Sequence, residues 1–227
     1  MELIQAARAW WWLVHKDLLR EMRAPRTWAA MLLVALALAM VIQLPLELPA
    51  AEKPAFLGAM FWLSAFFAGT LSLDRSFAGE QEDGCWQGLL LYPVSPATVY
   101  LSKVAGNFVA LCALNGVLLL AFALLSGISL LAQPGLFLAT AVMANLGFAA
   151  VGTLASALTA GLAQRSGVLV LILLPLVLPV ILAAVGATQS ILEHEIGAWW
   201  RWLQLLACFA AVFLTLGTLL FEFIMED

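Results

Sequence analysis

An all-α integral membrane protein with six transmembrane helices is the fold class this sequence predicts, and three observations predict it. Of 227 residues, 64% are hydrophobic and only 11% charged, where soluble domains carry roughly 25% charged residues. The charges that do occur punctuate long apolar runs. Arg26–Glu47, Lys53–Asp74 and Arg201–Glu222 each enclose 20 uncharged residues, Arg165–Glu193 encloses 27, and Lys103–Arg165 encloses 61. A helix needs about 20 residues to cross the hydrocarbon core, so the longest run holds two spans. The third observation is the distribution of Lys and Arg. With the N-terminus in the cytoplasm, an alternating six-span chain places Arg8, Lys16, Arg20, Arg23, Arg26, Arg75, Lys103 and Arg165 inside, and only Lys53 and Arg201 outside. That asymmetry sets the orientation, with both termini cytoplasmic.

Residues 1–27 read as an amphipathic cytoplasmic or interfacial helix. Ile4, Ala7, Trp11, Val14 and Leu18 recur at helical spacing, Arg8, Lys16, Asp17 and Arg20 lie largely elsewhere, and Trp10–Trp12 suit headgroup level. No small-residue cleavage pattern follows the first apolar run, so a cleaved signal is not expected. The membrane domain, 28–227, has spans at about 28–44, 54–73, 99–126, 134–163, 167–187 and 200–223, with a loop at 74–98 and a short turn at Gln133-Pro134-Gly135. In the fourth span Gly152, Ser156 and Ala160 recur every four residues, as do Ala149, Thr153, Ala157 and Gly161, a pattern that favours close helix packing. Asn107, Asn115 and Asn145 are expected to bond between helices. Pro175 and Pro179 each remove a backbone hydrogen bond from the fifth span, which is therefore expected to bend or hinge. Outside, Glu193-His194-Glu195 precedes a tryptophan belt at Trp199, Trp200 and Trp202; a solvated histidine is the expectation for His194, with a metal or haem ligand as the rarer alternative.

The chemistry of known catalytic motifs is missing. With His15 and His194 alone there is no HExxH, and the three lysines, Lys16, Lys53 and Lys103, follow no glycine-rich phosphate loop. Cys85, Cys112 and Cys208 form no CxxC pair, so neither a metal nor a disulfide framework is indicated. The spans hold almost no ionisable side chain, whereas proton-driven pumps need them. If the protein performs energised work, its energy must come from somewhere else. A net charge of −4 suggests no nucleic-acid partner.

One polar gap carries unusual detail: "FAGEQEDGCWQGLLLYPVSPATVYLSK", Phe77 to Lys103. Glu80, Glu82 and Asp83 form an acidic entry, and Gly84 suits a helix end. Trp86, Leu89, Leu90 and Tyr92 form an apolar flank, and Pro93 and Pro96 stop one helix and start the next. A short amphipathic helix of this kind fits a groove on a soluble partner; an interfacial turn joining two spans is the alternative.

The acid-Gly step, the leucines, P-x-S and the lysine opening the next span resemble the ABC-2 type permease family. A closer similarity is to the haem exporter protein B family (CcmB). It runs without gaps through "LDRSFAGEQEDGCWQGLLLYPVSPATVYLSK" and resumes at Ser166–Ala187, which includes Pro175 and Pro179. Leu73, Arg75, Phe77, Asp83, Gly84, Leu89, Leu91, Pro93 and Lys103 fall on the pattern, with Asp74 for the usual Glu. Gln87 departs from it, standing where a Glu is usual, and neither the Glu193-His194-Glu195 loop nor the tryptophan belt has a counterpart.

The resemblance implies an ABC-2 type bundle with a coupling helix between spans two and three. It implies a non-catalytic subunit of the bacterial inner membrane, working in haem handling for c-type cytochrome maturation. ATPase-coupling residues would be Asp74, Arg75, Phe77, Glu80, Glu82, Asp83, Gly84, Trp86, Leu89, Leu90 and Pro93, with Pro175, Pro179, Gly152 and Ser156 in hinge and packing roles. It binds no cofactor itself: ATP sits on a CcmA-type ATPase and haem on partner proteins. CcmC-type and CcmD-type membrane subunits and a CcmE-type haem chaperone complete the implied set, and release of the loaded chaperone is the implied output. A general ABC-2 exporter of drug, lipid or polysaccharide, and an assembly scaffold that uses no ATP, are the rival readings. A large cavity lined by Asn107, Asn115 and Asn145 favours the exporter; a closed, dry bundle favours haem maturation.

Overall fold

A computed structural model of the chain describes residues 2–22, 25–40, 49, 52–82, 95–126, 133–159 and 165–226. Those residues form seven helices: α1 (Glu2–Met22), α2 (Pro25–Met40), α3 (Lys53–Glu82), α4 (Pro96–Ser126), α5 (Pro134–Thr159), α6 (Arg165–Leu192) and α7 (Ile196–Glu226). Proline opens α2, α4 and α5 at the position where a missing N–H costs nothing. At α4 the preceding Ser95 caps the first turn, its Oγ accepting the Thr98 N–H at 3.3 Å.

Five helices, α3 to α7, are long and apolar enough to cross a membrane. The sixth expected span falls on α2, whose 16 described residues rise only about 24 Å, short of a hydrocarbon core of about 30 Å. Residues 41–48, which the expected span needs, lie outside the described set. The longer helices overrun the charge-free runs because charge marks where the bilayer ends, not where the backbone must stop. Thus α3 continues past Leu73 through Asp74 to Glu82, and the gap between spans begins in helical conformation.

The core is built around α5, which packs against α3, α4, α6 and α7. Its small residues allow this: Ala149, Ala150, Gly152, Thr153 and Ser156 are all buried. The Leu73 side chain of α3 packs against the bare Cα of Gly152, and one turn on, Ser156 Oγ donates to the Leu73 carbonyl at 2.7 Å. Ala160 and Gly161 lie outside the described residues. α2 packs on α3 and α4, and α1 packs on α4. α7 is peripheral: 17% of its span is buried against 67% for α3. Pro175 and Pro179 do not interrupt α6. Both rings are exposed on the outer side of the helix.

Several polar side chains within the bundle find partners on neighbouring helices, where the solvent offers no hydrogen bonds, although Thr27 Oγ1 and Asn115 Oδ1 have none among the described residues. Tyr100 is fully buried and its hydroxyl donates to the Ala150 carbonyl at 3.0 Å and the Phe213 carbonyl at 3.2 Å, tying α4 to α5 and α7. Gly217 makes this possible, since a Cβ there would overlap the Tyr100 ring and hydroxyl. Trp62 Nε1 donates to Thr188 Oγ1 at 2.9 Å, and Trp199 Nε1 to Thr140 Oγ1 at 3.0 Å. Trp199 therefore leaves the expected interfacial belt: it is buried, while Trp200 and Trp202 on other faces of α7 are exposed. Gly217→Ala is expected to destabilise the detergent-solubilised protein by about 1–3 kcal/mol through overpacking. Tyr100→Phe, which removes only hydrogen bonds, is expected to cost about 1 kcal/mol. Thermal unfolding of both variants checks the order.

Candidate functional site

The densest polar cluster lies at the end of the bundle where α3 stops, α4 starts and α1 packs. Lys103, in the second turn of α4, has only 6% of its side chain exposed. Burying an ammonium group demands compensation. Its Nζ donates to Asp17 Oδ1 of α1 at 3.2 Å and to the Ser76 carbonyl of α3 at 2.8 Å. One turn further along α4, Asn107 Nδ2 donates to Ser76 Oγ at 3.0 Å and to Thr153 Oγ1 of α5 at 2.8 Å. On the α1 side, Ser72 Oγ donates to Glu21 Oε1 at 3.0 Å, and Trp28 Nε1 of α2 donates to the Glu21 carbonyl at 3.1 Å. Five helices meet in this network.

Asp17 and Glu21 are one turn apart and so lie on one side of α1, where Asp17 reaches Lys103 of α4 and Glu21 reaches Ser72 of α3. The sequence pattern places Asp17 off the apolar arc of α1 and Trp10–Trp12 at headgroup level. In the structure Asp17 faces α4, where the buried Lys103 draws the carboxylate inward, and Trp11 is 62% exposed. Gly106 of α4 lies against Asp17; a Cβ there would sit 3.5 Å from the Asp17 Cβ, an ordinary contact distance. Beside the ion pair is a cavity of about 30 Å³ lined by Asp17, Glu21, Ser76, Lys103, Gly106 and Asn107. Asp17 Oδ2 has no hydrogen-bond partner among the described residues. The cavity has the volume of about one water molecule.

A second polar contact lies deeper, between α4 and α5. Asn115 Nδ2 donates to Asn145 Oδ1 at 2.8 Å, and Asn145 Nδ2 donates to Cys112 Sγ at 3.4 Å. The neighbouring cavity, lined by Asn145 with Trp62, Phe66, Phe148, Val177 and Val180, measures about 20 Å³. Both spaces are far below the several hundred Å³ of a small-molecule pocket. At the opposite end of the bundle, His194 caps α6: it takes φ 60°, and the Glu195 N–H reaches back to the Ser190 carbonyl at 2.8 Å. Its Nδ1 is 2.8 Å from Gln133 Nε2. No group of three or more His, Cys, Asp or Glu able to hold a metal occurs among the described residues.

Of the expected coupling residues, Asp74 is half-buried on α3. Arg75, Phe77, Glu80 and Glu82 follow on the same helix, placed by backbone alone. Asp83, Gly84, Trp86, Leu89, Leu90 and Pro93, with Gln87, lie outside the described residues. The structure thus fastens the two ends of that segment, Ser76 on α3 and Lys103 on α4, to each other. Asp17, Glu21, Ser72, Ser76 and Thr153 were not singled out as a site. The available signal was a lysine inside an otherwise apolar helix start, which must find a carboxylate somewhere.

A bundle of apolar spans, polar side chains spent on each other, and a charged clasp at one end define a multi-pass helical membrane protein. The chain belongs to the CcmB protein family, whose model matches residues 8–225. Over 142 residues it is 34% identical to Heme exporter protein B of Pseudomonas aeruginosa, covering 59% of this chain and 60% of that protein.

Lys103→Met is expected to strand the Asp17 carboxylate and destabilise the protein by about 3 kcal/mol. The double variant with Asp17→Asn is expected to recover part of that loss. Unfolding midpoints of the two single variants and the double variant measure the coupling.

Proposed function

We propose that this chain is the membrane permease subunit of an ABC complex that handles haem for c-type cytochrome maturation. It has no catalytic activity of its own and receives work from a CcmA-type ATPase. Family membership over nearly the whole chain is the observation that carries this reading, and the name of the Pseudomonas relative supports the haem assignment. The proposed setting is the bacterial inner membrane with six spans, the first at about 28–44, and both termini in the cytoplasm. In that orientation the Lys103 clasp and the 83–94 segment face the cytoplasm.

The route of force follows from the clasp. A push on residues 83–94 reaches Glu82 and Pro96, the helix ends on either side. Lys103 and Asn107 join α3 to α4 a few turns inward, so the two helices move as a pair rather than separately. Asn107 passes the displacement to α5 through Thr153, and Lys103 to α1 through Asp17. The partner set of CcmC-type and CcmD-type subunits and a CcmE-type chaperone, released in its haem-loaded form, completes the proposal. The small volumes beside Asn107 and Asn145 and the pairing of Asn145 with Asn115 favour this closed-bundle reading over a general exporter of bulky substrates.

Affinity purification from native membranes in mild detergent tests the reading. An ATPase is expected to co-purify, with haem absorbance in the Soret region from associated proteins, and Glu82→Lys with Asp83→Lys is expected to release the ATPase. An intact preparation without any ATPase would overturn the coupling, and an ATPase without haem proteins would move the assignment to a general exporter.

A further inference from the structure

The Asp17 carboxylate is bonded on one side only. Lys103 Nζ lies 3.2 Å and Lys16 Nζ 3.6 Å from its Oδ1, while Oδ2 is buried and has no hydrogen-bond partner among the described residues. An ionised carboxylate accepts on both oxygens, and leaving one of them unbonded out of reach of bulk water is costly. The space alongside suits a donor. Besides Asp17 and Lys103, Arg20, Glu21, Ser76 and Asn107 line the cavity of about 30 Å³. A water molecule needs roughly 10–15 Å³ of such space and two to four polar partners. Gly106 forms part of the same wall. At Gly69 and Gly152 a Cβ would run into the side chains of Phe148 and Leu73, so packing requires a glycine there. At Gly106 a Cβ would meet only the Asp17 Cβ, at an ordinary contact distance of 3.5 Å. What a methyl group at 106 would take up is cavity volume.

We propose that this cavity is a binding site for one water molecule, which donates to Asp17 Oδ2, and that Gly106 keeps the space for it. The charges of the wall favour a neutral occupant. Arg20 and Lys103 oppose a metal cation beside Asp17, and Asp17 and Glu21 oppose an anion. The contact between α1 and α4 is then part direct and part mediated. Oδ1 accepts from Lys103, and Oδ2 is joined through the water to the remaining polar wall. A bridging water is enthalpically close to a direct hydrogen bond, so the buried ion pair is completed without another side chain. This inference needs only the geometry of the clasp and stands apart from the transport reading.

Two measurements test it. In a density map of the unaltered full chain, at a resolution that shows ordered waters, a water peak is expected within about 3 Å of Asp17 Oδ2. No peak there, or a peak with the coordination of a metal ion, overturns the proposal. The second measurement is the unfolding midpoint of Gly106→Ala and Gly106→Ser in detergent. Alanine is the better helix former and fills space, so in a dry cavity Gly106→Ala raises the midpoint. Expelling a bound water leaves Asp17 Oδ2 unbonded and is expected to lower it, by about 2–4 °C. Gly106→Ser is bulkier but brings a hydroxyl to the water's place, and is expected to recover most of that loss. A midpoint raised by Gly106→Ala, or a serine variant less stable than the alanine variant, overturns the proposal. The density measurement stands even where a variant folds poorly.

Discussion

The buried ammonium of Lys103 is the constraint on which the geometry at its end of the bundle depends. An uncompensated cation at the edge of a bilayer is costly, so the fold must bring it acceptors. Asp17 supplies the charge and the Ser76 carbonyl the second bond. Meeting both requires α1 to lie on α4 and α3 to end beside the start of α4. The same preference of polar groups for partners where no water is available accounts for the Tyr100, Trp62, Trp199 and Asn115 contacts, each of which joins two or three helices.

Packing and polarity divide the work. Close approach along α5 comes from alanines, glycine and small hydroxyl residues, which gain dispersion contacts where no hydrophobic drive between helices exists. Specific register comes from the hydrogen bonds. Neither region is fully saturated among the described residues: Asp17 Oδ2 in the clasp and Asn115 Oδ1 in the core lack a partner, and a water-sized space lies beside the clasp. Such pairs contribute modestly to stability compared with apolar packing of similar volume. The bundle interior beside Asn145, by contrast, is lined with aromatic and branched side chains and stays apolar.

Much of the architecture was legible in the sequence because bilayer thickness imposes a length on every apolar run. Breaks at Lys53, Ser126 and Pro134 coincide with helix ends for that reason. Helix ends beyond the bilayer were not legible, since the backbone of α3 continues through Asp74 to Glu82 without any need for apolar residues. The clasp was hidden for a different reason. Periodicity sorts residues by polarity, and it assigns a charged residue such as Asp17 outward unless its partner, here 86 residues away, is known. Trp199 was misplaced similarly: its neighbours Trp200 and Trp202 do lie outside, but Thr140 offers an acceptor that pulls this one ring into the bundle. The coupling residues from Asp83 to Pro93 were read from resemblance, and what the structure adds is how their flanking helices are tied together.

The most direct test is a cross-link across the clasp. The Cβ position at Gly106 is 3.5 Å from that of Asp17, within the span of a disulfide. In a chain whose native cysteines are replaced by serine or alanine, Asp17→Cys with Gly106→Cys should join rapidly under mild oxidation in native membranes, as read by mass spectrometry of the digested protein. Rapid and near-complete bonding is the predicted result. Failure to bond, in membranes where a control pair across α3 and α5 does so, would mean that α1 does not rest on α4 and would contradict the account.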